Sequence, residues 1–166
     1  MDTGIRQKSP VHYYSIHGGQ WHSSDTWPVI AKTTALYLHE DFNLTEYKPK
    51  TQTTLPYQAR LDTATGKETR WGRLGAQNVQ DYYFDWDGRD QEMLNFTTSP
   101  LQEEMELSGH IVVHLHVSSS EQDAAFFVYA SEIDEQGKAH YISEGMLRAL
   151  HRKQLPSPEE YKTTWP

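Results

Sequence analysis

The sequence predicts an all-β fold of the sandwich or jelly-roll type, and three observations carry that prediction. Ten Tyr, five Trp and five Phe occur among 166 residues, with few long apolar runs, and flat, bulky side chains suit a pleated surface. Short segments rich in aromatic and β-branched residues recur, punctuated by Gly, Pro and Asp turn signals. The stretch GHIVVHLHVSSS (109–120) alternates, placing Ile111, Val113, Leu115 and Val117 on one face and His110, Val112, His114 and His116 on the other.

In chain order, residues 10–16 read as a short strand ended by Gly18 and Gly19. WHSSDTWP (21–28) reads as an ordered loop pinned by Trp21 and Trp27. TTALYLH (33–39) is a second strand. Residues 43–68 hold two prolines and one glycine among polar residues, and predict a long, partly irregular connection. MLNFTTSPL (93–101) is a strand ending at Pro100. Residues 105–120 predict a strand pair or one long strand bent at Gly109. AAFFVYASEI (124–133) is strongly strand-like, DEQG (134–137) is a turn, and HYIS (140–143) starts another strand. For EGMLRALHRK (144–153) periodicity leaves helix and strand equally open, because Met146, Leu147 and Leu150 fit a helical face while simple alternation fits as well. The length predicts one domain over 1–166.

Composition excludes several classes of function. The formal charge is −8, which argues against nucleic acid as a partner, since phosphate binding needs a basic surplus. No window approaches the ~18 apolar residues of a membrane span, so no membrane partner is expected. The start lacks a charged-then-apolar signal peptide, so a cytoplasmic location is expected. With no cysteine, disulfide and thiolate chemistry are absent. The glycosylation-like triplets at Asn43 and Asn95 carry little weight without a secretory signal.

His114 and His116 share a face if the run is a strand, which is a sound start for a divalent metal site. With Gly109 and Glu121 they approach the first motif of metal-binding cupins, yet the spacer is one residue short, Val128 replaces the closing glycine, and the second motif is missing. His140 or His151 would have to supply a third ligand. Histidines lining a half-polar strand face are the plainer reading, so no metal site is assigned, with His114, His116 and Glu121 kept as minority candidates. Asp85, Asp87 and Asp90 resemble the start of a calcium loop, but Phe96 stands where the closing glutamate is needed, which favours a turn. There is no Gly-x-Ser-x-Gly elbow and no phosphate loop, so no catalytic residue and no cofactor are assigned. Ser118, Ser119 and Ser120 read as a strand end. Tyr82, Tyr83, Phe84 and Trp86 are core or interface residues, or a stacking platform for a sugar or other ligand.

The order of these pieces resembles the C-terminal β domain of the X-Pro dipeptidyl-peptidase and cocaine-esterase-like serine hydrolases. The resemblance runs from SPVHYYSIHGGQWHSSDTWP (9–28) through LYLH (36–39) and ARLDTATGKETRW (59–71). It continues from LNFTTSPL (94–101) through the 109–120 stretch and the aromatic strand to EGMLRAL (144–150). It implies a galactose-binding-like jelly roll, with 144–153 as strand and the histidine run as an inner strand. It implies an accessory domain that packs on an α/β-hydrolase catalytic domain, in cis or as a separate chain, and helps wall the substrate cleft. The catalytic triad of that group belongs to the catalytic domain, so this chain is expected to be inactive by itself. Residues 1–10 would be a linker from that domain. Further strands would follow Pro166, leaving a sandwich incomplete at its C-terminus whose unpaired edge invites homo-oligomers. A carbohydrate-binding sandwich is the rival reading, by fold analogy. A cupin-like metal protein is the third.

Overall fold

The structure is a computed structural model. It describes residues 8–16, 18–29, 32–60 and 84–153. These residues are all-β: six strands form three two-stranded antiparallel sheets, with two short 3-10 turns.

Strand β1 (Val11–Ser15) pairs with β2 (Gln20–Ser24), Tyr14 opposite Trp21 and Tyr13 opposite His22. The connection turns at Gly19, whose φ of 69° favours a residue without Cβ and whose N–H bonds the Ser15 carbonyl at 2.8 Å. The expected loop at 21–28 is therefore half strand. QWHSS lacks an apolar alternation of its own, and β1 supplies the ladder and the ring contacts that extend it.

Strands β3 (Tyr37–Leu38) and β4 (Leu44–Thr45) make a minimal pair around Phe42, at φ 65°. The strand expected over 33–39 shrinks to Tyr37 and Leu38. The strand expected over 93–101 shrinks to Thr97, which exchanges backbone bonds with Phe42 and Leu44. The connection after β4 is irregular through residue 60, as expected, and residues 61–68 lie outside the described residues.

Strands β5 (Ala125–Ile133) and β6 (Ala139–Arg148) form the longest ladder, with one register shift between Ala130 and Ser131. The turn between them is built by Asp134. Its Oδ1 accepts from the N–H groups of Gln136 and Lys138, both at 2.9 Å, and Gly137 sits at φ 80°. The 144–153 ambiguity resolves as strand through Arg148, followed by a 3-10 turn over Ala149–His151. A third extended piece docks on β6: Trp86 N–H bonds the Ala139 carbonyl at 3.0 Å, and Tyr141 N–H bonds the Phe84 carbonyl at 2.8 Å.

That docking makes the core. Trp86 is 1% exposed, and Phe84, Ala139 and Tyr141 are buried with it, backed by Met93 and Tyr129. Phe84 stacks on Tyr141 at 4.7 Å, and Trp86 meets Tyr129 edge-on at 4.9 Å.

The strand expected over 105–120 is corrected. No strand forms there, and residues 110–120 are exposed, Val112 at 70%. The alternation is real, but a strand needs a ladder partner, and none pairs with it among the described residues.

Candidate functional site

Strand alternation puts Phe127, Tyr129, Ser131 and Ile133 of β5 on one face, with Ala139, Tyr141, Glu144 and Met146 of β6 opposite them. The two ends of this face differ. At the turn end the Phe84–Trp86 segment buries the β6 side, Ala139 and Tyr141, while Ile133 stays 48% exposed; the Trp86 indole N–H donates to Ser131 Oγ at 2.9 Å, so the buried ring keeps its polar atom satisfied. At the other end Phe127 and Met146, direct cross-strand partners, are each 57% exposed. Leu147 and Leu150 are exposed close by. This uncovered apolar end is the candidate interaction surface.

Its edges are held by polar contacts. Asp134 Oδ2 lies 2.8 Å from His140 Nε2, and that hydrogen bond, with those from Lys138 and Gln136, holds the Asp134 carboxyl below the ordinary carboxylate range. Asp85 sits 3.4 Å from Lys138 Nζ. Its carboxyl is lowered first by the Asp87 backbone N–H, which bonds Oδ1 at 2.8 Å. At the far end Arg148 Nε donates to Asp123 Oδ2, lowering that carboxyl too. Burial, with Glu144 nearby, pushes the Tyr129 hydroxyl up.

The sequence-level candidates fall out as follows. His114, His116 and Glu121 are exposed, and the strand geometry that would aim both imidazoles one way is not formed. Among the described residues no group of three or more His, Asp or Glu is placed to hold a metal ion. His140 is engaged with Asp134, and His151 lies on the final 3-10 turn. Asp85 and Asp87 build a turn, with Asp87 at φ 55° and Gly88 at φ 78° leading into the 3-10 turn Arg89–Glu92 that carries Asp90. Ser119 accepts the Glu121 N–H at 3.0 Å, as a turn serine does. Of the aromatic cluster, Phe84 and Trp86 are core, while Tyr82, Tyr83 and Trp71 lie outside the described residues. Trp21 is exposed, but it meets Tyr14 at 62°, so the two rings do not make a flat platform for a sugar. Ser23 Oγ lies 2.9 Å from His12 Nδ1, yet no carboxylate among the described residues orients that imidazole as a nucleophile's base requires.

Sequence reasoning missed the Asp134–His140 pair and the Trp86–Ser131 bond. Both depend on the β5–β6 register, which a single sequence does not print.

The family model for the X-Pro dipeptidyl-peptidase C-terminal non-catalytic domain matches residues 3–163. The chain belongs to that family. Two curated relatives of this X-Pro dipeptidyl-peptidase C-terminal domain are named "Putative serine esterase Mb1866c", from Mycobacterium bovis, and "Putative serine esterase MT1883", from Mycobacterium tuberculosis. Each is 36% identical over 166 residues, covering 99% of this chain and 26% of the relative. The chain thus spans about a quarter of the length of the curated relatives it matches. No solved structure matches it. Among the described residues no helix is long and apolar enough to cross a membrane. The accessory role expected from the sequence is the role the family carries: a non-catalytic domain of a hydrolase group.

Proposed function

We propose that this chain is a jelly-roll accessory domain, or a fragment of one, that packs on the α/β-hydrolase catalytic domain of an acyl esterase or X-Pro peptidase and helps wall its substrate cleft. The reaction served would be ester or amide hydrolysis through an acyl-enzyme. The observation that carries the reading is the divided β5–β6 face, buried under Trp86 at one end and apolar but uncovered at Phe127 and Met146. An apolar patch beside a finished core is what a docking domain offers its neighbour. The relatives' names, and the quarter of their length that this chain spans, support a neighbour of hydrolase type.

The test mixes two proteins. The part of the Mycobacterium tuberculosis relative outside the match is expressed separately and assayed on a p-nitrophenyl ester, with and without this chain. The chain by itself should hydrolyse nothing. Its addition should raise turnover, and Phe127→Asp with Met146→Asp should abolish the gain. Serine-directed turnover by the isolated chain would contradict the reading, as would a gain unaffected by both substitutions.

A further inference from the structure

We propose that the surface docked on the uncovered end of the β5–β6 face is acidic: carboxylates of the neighbouring hydrolase domain meet Arg152 and Lys153 beside the Phe127–Met146 patch. The inference rests on the accessory-domain reading and adds the chemistry of the partner's face.

The sequence concentrates positive charge at this end. Residues 145–153, GMLRALHRK, hold Arg148, Arg152 and Lys153 together with His151 and no Asp or Glu, three cations and thus a formal +3 in a chain of −8. No nine-residue stretch clear of this segment exceeds +2. A local charge opposite in sign to the rest of the chain favours approach of an anionic face here and nowhere else so strongly.

The fold sets that charge against the apolar patch. Phe127 pairs with Met146 and Ala125 with Arg148, and strand alternation puts Arg148 on the same face as Met146. The 3-10 turn Ala149–His151 is tied back to the start of β5, its Ala149 N–H bonding the Ala124 carbonyl at 2.7 Å. His151, Arg152 and Lys153 are therefore held at the same end of the ladder as the patch, and all three are exposed. Glu144 shares the face but lies on the turn side of Met146. The basic groups thus flank the patch on one side only, which gives a docked partner a defined orientation.

Within the chain these cations are only partly matched. Arg148 Nε donates to Asp123, and Arg152 Nη1 donates to the Ala149 carbonyl at 3.0 Å. Among the described residues neither Arg152 nor Lys153 has a carboxylate partner. A guanidinium offers a planar fork that fits a carboxylate with two bonds, and an ammonium adds a point charge beside it.

The protein neighbour is favoured over other anions. Nucleic acid does not fit a chain of −8. Anionic membrane surfaces are held by clusters of about 4–8 basic residues, and only Arg152 and Lys153 are unmatched here. In the accessory reading the neighbour belongs to the same polypeptide, so it reaches the patch at an effective concentration on the order of millimolar. A separate molecule has no such advantage. Exposed ion pairs add little affinity; they steer approach and fix the orientation of the apolar contact.

The test uses one full chain, the Mycobacterium tuberculosis relative with its matched quarter exchanged for this sequence. A carbodiimide joins an amine to a carboxylate in contact with it. Lys153 should couple to an Asp or Glu outside the exchanged quarter, well above the yield of the exposed Lys48 and Lys50. In about 1 M NaCl, where the Debye length is about 3 Å, the yield should fall several-fold. Arg152→Glu should lower the Lys153 yield likewise, and Arg152→Lys should retain most of it. Phe127→Asp with Met146→Asp should remove this coupling and lower turnover of a p-nitrophenyl ester. Lowered turnover in that variant, with Lys153 in the parent chain coupling no better than Lys48 and Lys50, would overturn the inference and leave the accessory reading standing. Turnover unchanged in that variant would overturn the accessory reading, and the inference with it. Coupling of Lys153 to a second copy would overturn the inference as well.

A second measurement uses the 166-residue chain by itself. An amphipathic peptide with glutamates along its polar face should protect Lys153, but not Lys48, from acetylation, and the same peptide with lysines in their place should not. Equal protection by both peptides, protection by neither, or stronger protection by phosphatidylserine vesicles than by the glutamate peptide would overturn the proposal.

Discussion

Phe84 and Trp86 flank Asp85 much as Val113 and Leu115 flank His114, yet Trp86 is 1% exposed and Val113 is 45% exposed. Both segments alternate apolar and polar residues, but the sequence predicts a strand only at the second. The first lies against β6 and closes two backbone bonds, which turns its two rings onto Tyr141 and Tyr129. The second closes none among the described residues. Alternation therefore states which side chains share a face. Whether that face is buried depends on a partner strand, and burial in turn decides whether a residue stabilises the fold or is free to bind something else.

The largest effect expected from this contrast is at Trp86. Trp86→Ala should cost about 3–5 kcal/mol, the range for removing a large buried side chain. Val113→Ala should stay within about 0.5 kcal/mol, as surface changes do. Denaturant unfolding of both variants decides, and comparable losses would break the comparison. A smaller effect is expected at Ser131. Ser131→Ala leaves the buried indole N–H without its acceptor, at about 1–3 kcal/mol, whereas Ser118→Ala in the uncovered run should change nothing measurable.

The smallest effect is electrostatic. The Asp134 carboxyl is held below its ordinary value, first by the His140 hydrogen bond. A carboxyl depressed in the folded state stabilises fully above its unfolded value, ~3.9. That contribution is lost as pH falls through the lower folded value. Asp134→Asn should thus flatten the acid limb of the stability profile and leave the neutral region less changed in shape. An unchanged acid limb would remove Asp134 from the account.

The β5 strand, its Asp–Gly turn and the start of β6 were legible in the sequence because each rests on neighbours a few residues apart: the run AFFVYASEI, Asp134 capping its own turn, and Gly137 at positive φ. Strand β2 was not legible, since QWHSS has no periodicity and becomes a strand through Tyr13 and Tyr14 across the ladder. The histidine run failed in the opposite direction. Its periodicity is strong and local, while its partner is not local at all. The metal reading of His114 and His116 depended on the same assumed strand, so it lost its geometric basis with the strand. The uncovered Phe127 and Met146 were hidden for a related reason: both look like core residues until the extent of Trp86's cover is known.

Amide hydrogen exchange on the chain, diluted until sedimentation finds monomer only, tests the divided structure most directly. Slow exchange is expected at Trp86, at Tyr141 and along the β5–β6 ladder, with fast exchange throughout 111–117. Protection of 111–117 equal to that of β5 and β6 in the monomer would mean that the run is already paired within one chain, and would contradict the account.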